Sequence, residues 1–212
     1  MKKKTLALLL ALVLVFGAAV GGTIAYLTDN DTVTNTFTVG KVEITLDEAK
    51  VNEYGVVDQN AARVKANSYR LIPGHTYAKD PTVTVLEGSE ESYVKMTVTF
   101  SNASELDAIF APNGANLTNI FNGYDSTNWI AKGNTEDTVK NTRTYEFWYK
   151  DTVAASAGDV KLDALFDSIT VPNEITKEQL ETIKDMTITV NAYAIQADGF
   201  TAAADAWANF GA

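Results

Sequence analysis

The clearest strand signal in the chain reads Ser92-Tyr93-Val94-Lys95-Met96-Thr97-Val98-Thr99-Phe100. Its even-numbered positions from 94 to 100 are apolar, and its odd-numbered positions from 95 to 99 are lysine or threonine. A period of two places the apolar side chains on one face of a β-strand and the polar ones on the other. One-sided burial of this kind is typical of antiparallel sheets that pack face to face. The stretch therefore predicts a strand in an antiparallel β-sandwich.

The same alternation recurs on both sides of this stretch. It predicts further strands at residues 41–46, 82–86, 143–150, 168–171 and 186–197. Two short helices are predicted, one at residues 175–184 with Asn173 as the N-cap, and one from a cap at Thr201 to about residue 210. Residues 102–142 are rich in Asn, Gly, Asp and Thr, so we expect long loops there, with one helical turn at residues 106–110. The whole pattern predicts an all-β, jelly-roll-like antiparallel β-sandwich with a few short helices.

An N-terminal signal helix at residues 1–25 is predicted to precede this domain. Residues 5–28 carry no charge and follow a basic start with three lysines. Thr23 and Ala25 supply small residues at the two positions that a signal peptidase reads, which places the cut between Ala25 and Tyr26. A retained membrane span is the alternative, because about 18 uncharged apolar residues can cross a bilayer. The Gly21-Gly22 pair and the polar residues that follow favour cleavage, and both alternatives predict export.

The chain is acidic and contains no cysteine. Its net charge is −10, and removal of the three leader lysines makes it −13. Phosphate binding needs basic residues, so nucleic acid is not expected as a partner, and contact with a membrane is expected only before cleavage. The lack of cysteine excludes a disulfide scaffold, a zinc-thiolate site, a thiol enzyme and a lipoprotein acylated on cysteine. We expect no cofactor, with a calcium ion in the acidic loops left open as an alternative.

Gly40 marks a change of face in the first strand. The apolar residues before it, Phe37 and Val39, have odd numbers, whereas Val42 and Ile44 after it have even numbers. A continuous strand cannot change parity without turning its side chains to the other face. We therefore predict a bulge or a turn at Gly40, where glycine tolerates the backbone angles required.

Two stretches near the N-terminus carry a family resemblance. They read Gly21-Gly22-Thr23-Ile24-Ala25-Tyr26-Leu27-Thr28-Asp29 and Asn35-Thr36-Phe37-Thr38-Val39-Gly40-Lys41-Val42-Glu43-Ile44. A Pro73-Gly74 turn that leads into Lys79-Asp80-Pro81, and two later strands at residues 146–151 and 192–200, extend the likeness. Together these residues resemble the TasA/camelysin family of exported bacterial proteins, which are processed by a dedicated signal peptidase, SipW.

The resemblance implies a jelly-roll subunit that is secreted and assembles into extracellular fibres of a biofilm matrix. In TasA-like fibres the freed N-terminal segment pairs as a strand with the next subunit. Carried onto this chain, the donor is about residues 26–36, and the implied self-assembly residues are Tyr26, Leu27, Thr28, Val33 and Phe37. The implied organisation is a signal peptide at residues 1–25, a donor-type segment at residues 26–40 and one β-sandwich domain at residues 41–212.

The composition of the segment at residues 26–36 agrees with this role. It is rich in threonine and contains neither proline nor glycine, so it can extend and pair. A sheet with an unfilled edge is a template for strand addition, and head-to-tail addition that does not close produces a filament. The expected partners are a SipW-type signal peptidase and copies of the chain itself or related matrix subunits. The expected location is the extracellular matrix or the cell surface of a bacterium.

No catalytic residue and no metal site are predicted, although the family name camelysin implies a metallopeptidase. A zincin needs two histidines one helical turn apart with a glutamate between them, and the chain has His75 alone. A Ser-His-Asp hydrolase would need the same histidine and a Gly-x-Ser-x-Gly elbow, which is missing. Two other functions stay open: a monomeric surface or matrix accessory protein that binds polysaccharide or protein partners, and a camelysin-type metallopeptidase.

Two other groups of residues invite a functional interpretation. Adjacent carboxylates are predicted to be solvated loop residues rather than a glycosidase pair, and they occur at Asp47-Glu48, Glu90-Glu91 and Glu136-Asp137. The tryptophans are predicted to pack within or between elements rather than to form a sugar platform, and they are Trp129, Trp148 and Trp207.

Overall fold

The computed structural model describes residues 40–110 and 121–210, which belong to one compact unit that begins at Gly40. Within these ranges there are ten strands and three short helices. The strands are β1 (Ile44–Asp47), β2 (Thr76–Ala78), β3 (Thr82–Val85), β4 (Ser92–Ser101), β5 (Phe121–Asn122), β6 (Trp129–Asp137), β7 (Thr142–Tyr149), β8 (Val160–Lys161), β9 (Ser168–Thr170) and β10 (Ile188–Gln196). The helices are α1 (Ala103–Phe110), α2 (Lys177–Thr182) and α3 (Ala203–Ala208).

The strands form three sheets whose ladders are all antiparallel. The largest sheet has the order β10-β4-β7-β6, and the two smaller ones have the orders β1-β3-β8 and β2-β9-β5. The prediction of an all-β antiparallel sandwich with a few short helices is confirmed. The predicted signal helix lies outside the described residues.

β4 is one of the two inner strands of the largest sheet, and its side chains alternate as the sequence predicts. Val94, Met96, Val98 and Phe100 are fully buried, whereas the residues between them are only partly covered. β4 pairs with β10 from Ser92 to Phe100 and with β7 on its other side. A strand paired on both sides and buried on one face has a fixed register, because a shift by one residue would expose all its apolar side chains.

The core lies between the sheets and is rich in aromatic rings. Phe121 and Phe166 stack with their ring centroids 4.2 Å apart, and Phe100 contacts both Phe121 and Tyr145. Trp129 is fully buried, and its indole N–H donates to the carbonyl of Asp163 at 3.0 Å. Packed apolar surface and strand pairing therefore stabilise this cysteine-free domain.

The prediction of long loops at residues 102–142 is wrong, because α1, β5 and β6 lie within this range. β6 lies at the edge of the largest sheet, and its side chains from position 130 to 136 are exposed. An exposed edge strand needs no apolar alternation, so the pattern that revealed β4 is missing here. The ladder to β7 also shifts between Ala131 and Gly133, where Gly133 has φ +107°.

The caps of two helices also differ from prediction. Thr176, not Asn173, caps α2: its hydroxyl accepts from the Gln179 N–H at 3.2 Å, and the Gln179 side chain accepts from the Thr176 N–H at 2.8 Å. This reciprocal capping box satisfies two free N–H groups at once. α3 begins after Ala202 and has no side-chain cap, since the Thr201 hydroxyl bonds the Asp205 carboxylate instead.

The first strand begins later than predicted. β1 starts at Ile44, although the carbonyls of Lys41 and Glu43 already accept hydrogen bonds from Glu90 and Leu86, at 2.8 and 2.9 Å. Gly40 is exposed and precedes this paired stretch. The residues that give the change of parity before Gly40 lie outside the described ranges, so the predicted bulge stays a prediction. No helix within residues 40–110 or 121–210 has the length and hydropathy needed to cross a bilayer.

Candidate functional site

A groove of about 690 Å³ opens where the edge strand β1 comes next to the edge strand β10. Its walls are β1 with the adjoining Glu48, residues 186–190, which lead into β10, and residues 64–69 together with Leu71. Lys79, Pro81 and Ile169, all buried, also line it. The groove therefore lies where two different sheets each end in an edge strand.

The backbone of β1 has a free edge on the groove side. The Leu86 N–H donates to the Glu43 carbonyl at 2.9 Å, so the odd-numbered residues of this strand direct their polar backbone groups toward β3. Ladder alternation then directs the N–H and C=O groups of Ile44 and Leu46 to the opposite edge. Glu48 exchanges two hydrogen bonds of 2.8 Å with Val64, and this bridge closes the edge at its C-terminal end. No further strand pairs with this edge of β1 within the described ranges.

β10 has a free edge for the same reason. The Ser101 N–H donates to the Thr187 carbonyl at 3.1 Å, so the odd-numbered residues of β10 pair with β4. Ile188 and Val190 therefore present their N–H and C=O groups to the other edge, which no described strand occupies. A row of unpaired backbone groups on an edge strand is a template for pairing with an added strand.

The side chains around these two edges are largely apolar. The partly buried ones pack against the main core, and they include Ile44, Leu46, Tyr69, Leu71, Ile188 and Val190. An extended segment added to either edge would exchange backbone hydrogen bonds with it and place alternate side chains against this apolar lining. The geometry thus suits a strand as a ligand better than a compact small molecule.

A buried ion pair lies at the end of the groove where β1 finishes. The Lys79 ammonium donates to the Glu48 carboxylate at 2.6 Å, and each side chain is only 8 % exposed. The Asn67 side-chain amide donates to the other Glu48 oxygen at 3.0 Å. Burial raises the pKa of the neighbouring Tyr69 phenol, and the charge of Glu48 acts in the same direction. Glu48 is therefore a structural residue and not the solvated loop residue that the sequence predicts.

Arg63 holds Asp47, the other acid of the Asp47-Glu48 pair. Its guanidinium donates to Asp47 at 2.5 Å and to Asp80 at 2.7 Å, and it also bonds the Thr82 hydroxyl. Burial lowers the pKa of Arg63, but the hydrogen bonds to the two carboxylates outweigh it and raise the pKa overall. Arg63 thus links the last residue of β1 to Asp80, which lies just before β3, through charge-assisted hydrogen bonds.

The other predicted carboxylate pairs form no shared site. Glu91 accepts a hydrogen bond from the Thr152 hydroxyl, and the paired residues Glu136 and Asp137 make separate contacts. Glu136 bonds the buried Arg143 at 2.9 Å, whereas Asp137 accepts from the Lys140 N–H at 3.0 Å. No glycosidase-like arrangement results from these contacts.

The structure places Pro73 and Gly74 in a turn before β2. The His75 N–H donates to the Ile72 carbonyl at 3.2 Å, and Gly74 has φ +72°, as the third position of such a turn requires. The His75 ring lies against Tyr77 and bonds the Tyr54 carbonyl at 2.6 Å. This histidine therefore connects two parts of the backbone.

The tryptophans pack within and between elements. Trp129 belongs to the core, whereas Trp148 and Trp207 lie on the other side of the largest sheet with ring centroids 6.4 Å apart. The Lys132 ammonium lies 4.1 Å from the Trp148 ring centroid, and the Lys95 ammonium lies 4.6 Å from that of Trp207. These ring faces are covered by lysines of the chain itself, which disfavours a sugar platform.

The predicted processing and self-assembly residues lie outside the described ranges: they are Thr23, Ala25, Tyr26, Leu27, Thr28, Val33 and Phe37. Sequence reasoning missed the groove, although it found the apolar faces of both strands that line it. The Lys79-Asp80-Pro81 motif was the one sequence signal for its closed end, because Lys79 binds Glu48 and Asp80 shares the Arg63 guanidinium with Asp47.

The fold and the groove define a β-sandwich protein with two free strand edges at one site. A family model described as camelysin metallo-endopeptidase matches residues 1–60, a range that ends shortly after β1. The match confirms the resemblance of this N-terminal region to the TasA/camelysin family. No curated protein and no solved structure matches the chain significantly.

The description of the family as a metallo-endopeptidase weighs against the prediction that the chain is not an enzyme. Across residues 40–110 and 121–210, no three His, Cys, Asp or Glu side chains converge as a metal site would require. The absence of enzymatic activity stays a prediction.

Proposed function

We propose that this protein is a secreted structural subunit of an extracellular, biofilm-matrix fibre. Residues 26–36 of one copy, freed by cleavage of the signal peptide, pair as a strand with a neighbouring copy. The observation that carries the proposal is the pair of free edges at Ile44, Leu46, Ile188 and Val190, which meet at one apolar groove. The family match to residues 1–60 supports it, because that range spans the leader, the donor segment and the first strand together.

The donor segment has the reach and the composition for this role. Its eleven residues span about 36 Å when extended, whereas the groove runs along residues 44–48, about 16 Å. Leu27 and Val33 supply apolar side chains, and the frequent threonines favour an extended backbone. Part of the segment is therefore enough to fill the groove, and the rest connects the two subunits.

The fibre grows in one direction because the donor segment and the acceptor groove are different parts of the same chain. Each copy gives one segment and receives one, so the contact is heterologous and generates a filament when the rotation between copies does not close. Before cleavage the hydrophobic leader holds the donor at the membrane. Processing by a SipW-type signal peptidase then acts as the switch for assembly outside the cell.

Electron microscopy of the mature chain tests the proposal. We expect fibres from residues 26–212 and monomers when residues 26–36 are deleted. A point variant, Val33→Pro, removes one backbone N–H from the donor and should shorten or abolish fibres, whereas Val33→Ile keeps the pairing and should leave them unchanged. Fibres of normal length from the deletion variant would refute the proposal.

A synthetic peptide with the sequence of residues 26–36 tests the acceptor. Added in excess to the mature chain, it should occupy the groove and cap growing ends, so that mean fibre length falls with peptide concentration. A scrambled peptide of the same composition serves as the control. Equal inhibition by both peptides would show that the groove does not recognise a strand of this sequence.

A metallopeptidase is the second candidate, and the description of the matched family is the observation that favours it. Casein turnover by the mature chain, measured after chelation and after loading with zinc, tests it. Turnover that depends on zinc and is lost with a chelator would establish the enzyme. Equal background turnover in both samples would refute it.

A further inference from the structure

The side chains that line the groove include three lysines and two acids, on an otherwise acidic protein. The net charge of the chain is −10. The two acids that line the groove, Asp47 and Glu48, are each held in an ion pair, by Arg63 and Lys79 respectively. Two further cations, Lys65 and Lys184, also line the groove and are exposed.

Neither of these two lysines is held in a buried ion pair within the described ranges. No ion pair of Lys65 occurs among residues 40–110 and 121–210. Lys184 contacts Glu181 at 2.5 Å, and the charge of Asp185 also acts on it, but the pair with Glu181 is more than half exposed, so the Lys184 ammonium can exchange this partner for another carboxylate. Both ammonium groups are therefore able to attract an anionic ligand.

The proposed donor segment carries the opposite charge. Residues 26–36 contain Asp29 and Asp31 but no lysine, arginine or histidine. In an extended strand these two acids share a face with Leu27 and Val33, because all four positions are odd-numbered. A donor that turns its apolar side chains to the groove thus presents both carboxylates to the groove as well.

We propose that Lys65 and Lys184 bind Asp29 and Asp31 of the incoming copy, and that this charge match selects the donor and fixes its register. The inference rests on the proposed function. The lysines provide the cations that acids facing an apolar groove require, and a strand slipped by one residue would turn both carboxylates away from them. Charge complementarity of this kind acts mainly on the rate of association and on specificity.

Charge reversal in pairs tests the inference. One variant of the mature chain carries Lys65→Glu and Lys184→Glu, and the other carries Asp29→Lys and Asp31→Lys. Each variant alone should elongate about ten- to a hundredfold more slowly than the parent at low salt, because like charges then face each other. The defect should shrink at high salt, where the Debye length falls to about 3 Å. Elongation is measured by light scattering and checked by electron microscopy.

An equimolar mixture of the two variants is the decisive sample. The acidic donor of the first variant fits the unchanged groove of the second, and the lysine-bearing donor of the second fits the acidic groove of the first. We therefore expect the mixture to form fibres in which the two variants alternate, at nearly the parent rate. If each chain instead fills its own groove, mixing restores nothing, and the inference is overturned.

A matched control reverses the same amount of charge elsewhere. Lys161 and Lys177 are exposed and do not line the groove, so the Lys161→Glu, Lys177→Glu variant should elongate like the parent. A defect equal to that of the groove variant would show a bulk charge effect and overturn the inference. Circular dichroism should be the same for the groove variant and the control variant, since both change only exposed lysines.

The deletion of residues 26–36 separates this inference from the proposed function. If the deletion abolishes fibres while both charge-reversed variants elongate like the parent, the inference fails and strand donation stands. If the deletion variant still forms normal fibres, the proposed function fails and the inference fails with it.

Discussion

Replacing Lys79 by methionine should destabilise the domain strongly, because it leaves a buried carboxylate without its cation. The Lys79 ammonium lies 2.6 Å from a Glu48 oxygen, and both side chains are about nine-tenths buried, at 8 % exposure. After the change, Glu48 keeps its side-chain hydrogen bond to Asn67, at 3.0 Å. Breaking a buried pair on one side costs about 3–5 kcal/mol, which corresponds to a fall in Tm of about 6–20 °C for a domain of this size.

The double variant Glu48→Gln, Lys79→Met shows whether the lost stability comes from the unpaired charge. Two neutral side chains of similar volume remove the uncompensated charge, so its free energy of unfolding should return to within about 1 kcal/mol of the parent. Lys140→Met is the surface control, since the Lys140 side chain is 76 % exposed in its pair with Asp137. Its effect should stay below about 0.5 kcal/mol.

Urea unfolding of monomeric samples, followed by circular dichroism, measures these changes at constant m-value. The reasoning is refuted if Lys79→Met costs no more than the surface control. It is also refuted if the double variant is as unstable as the single one, because the loss would then come from packing and not from the unpaired carboxylate.

Three further predictions follow from charged and aromatic contacts. Arg143 is 4 % exposed and binds Asp107 through both carboxylate oxygens, so Arg143→Met should cost about 3 kcal/mol in urea unfolding, and a cost below about 1 kcal/mol would contradict this. Burial raises the pKa of Tyr69, so the folded state keeps its phenol proton longer than the unfolded state, and stability should fall as the pH rises above about 10. Tyr69→Phe should flatten this alkaline decline, and an unchanged slope would count against the assignment. Lys95→Met removes the ammonium 4.6 Å from the Trp207 ring, so hydrogen exchange should quicken more in α3 than in the strands, and uniform quickening would indicate a global effect.

The strands buried on one face were predictable because burial leaves a period of two in the sequence. β4 and β7 are paired on both sides, and their apolar positions face the core. β6 was missed for the opposite reason: it is an exposed edge strand and has no such period. Local patterns therefore predict strands that are buried on one face better than strands that are exposed.

The groove could not be predicted, because it depends on which strands become edges. β1 and β10 are far apart in the sequence, and each was predicted as a strand with an apolar face. Their free edges follow from the sheet orders β1-β3-β8 and β10-β4-β7-β6, which no local pattern contains. The ion pair at the end of the groove is equally non-local, since Lys79 and Glu48 are 31 positions apart.

The two edges of the largest sheet differ in a way that favours strand addition at one of them. The β6 edge has a bulge at Gly133 and exposed polar side chains, two devices that discourage edge-to-edge pairing. The β10 edge has neither at Ile188 and Val190, and the free edge of β1 lies beside it. A protein that had to avoid all association would be expected to block both edges. On the largest sheet, one blocked edge and one free apolar edge restrict addition to one side, which is what growth of the proposed unbranched filament requires.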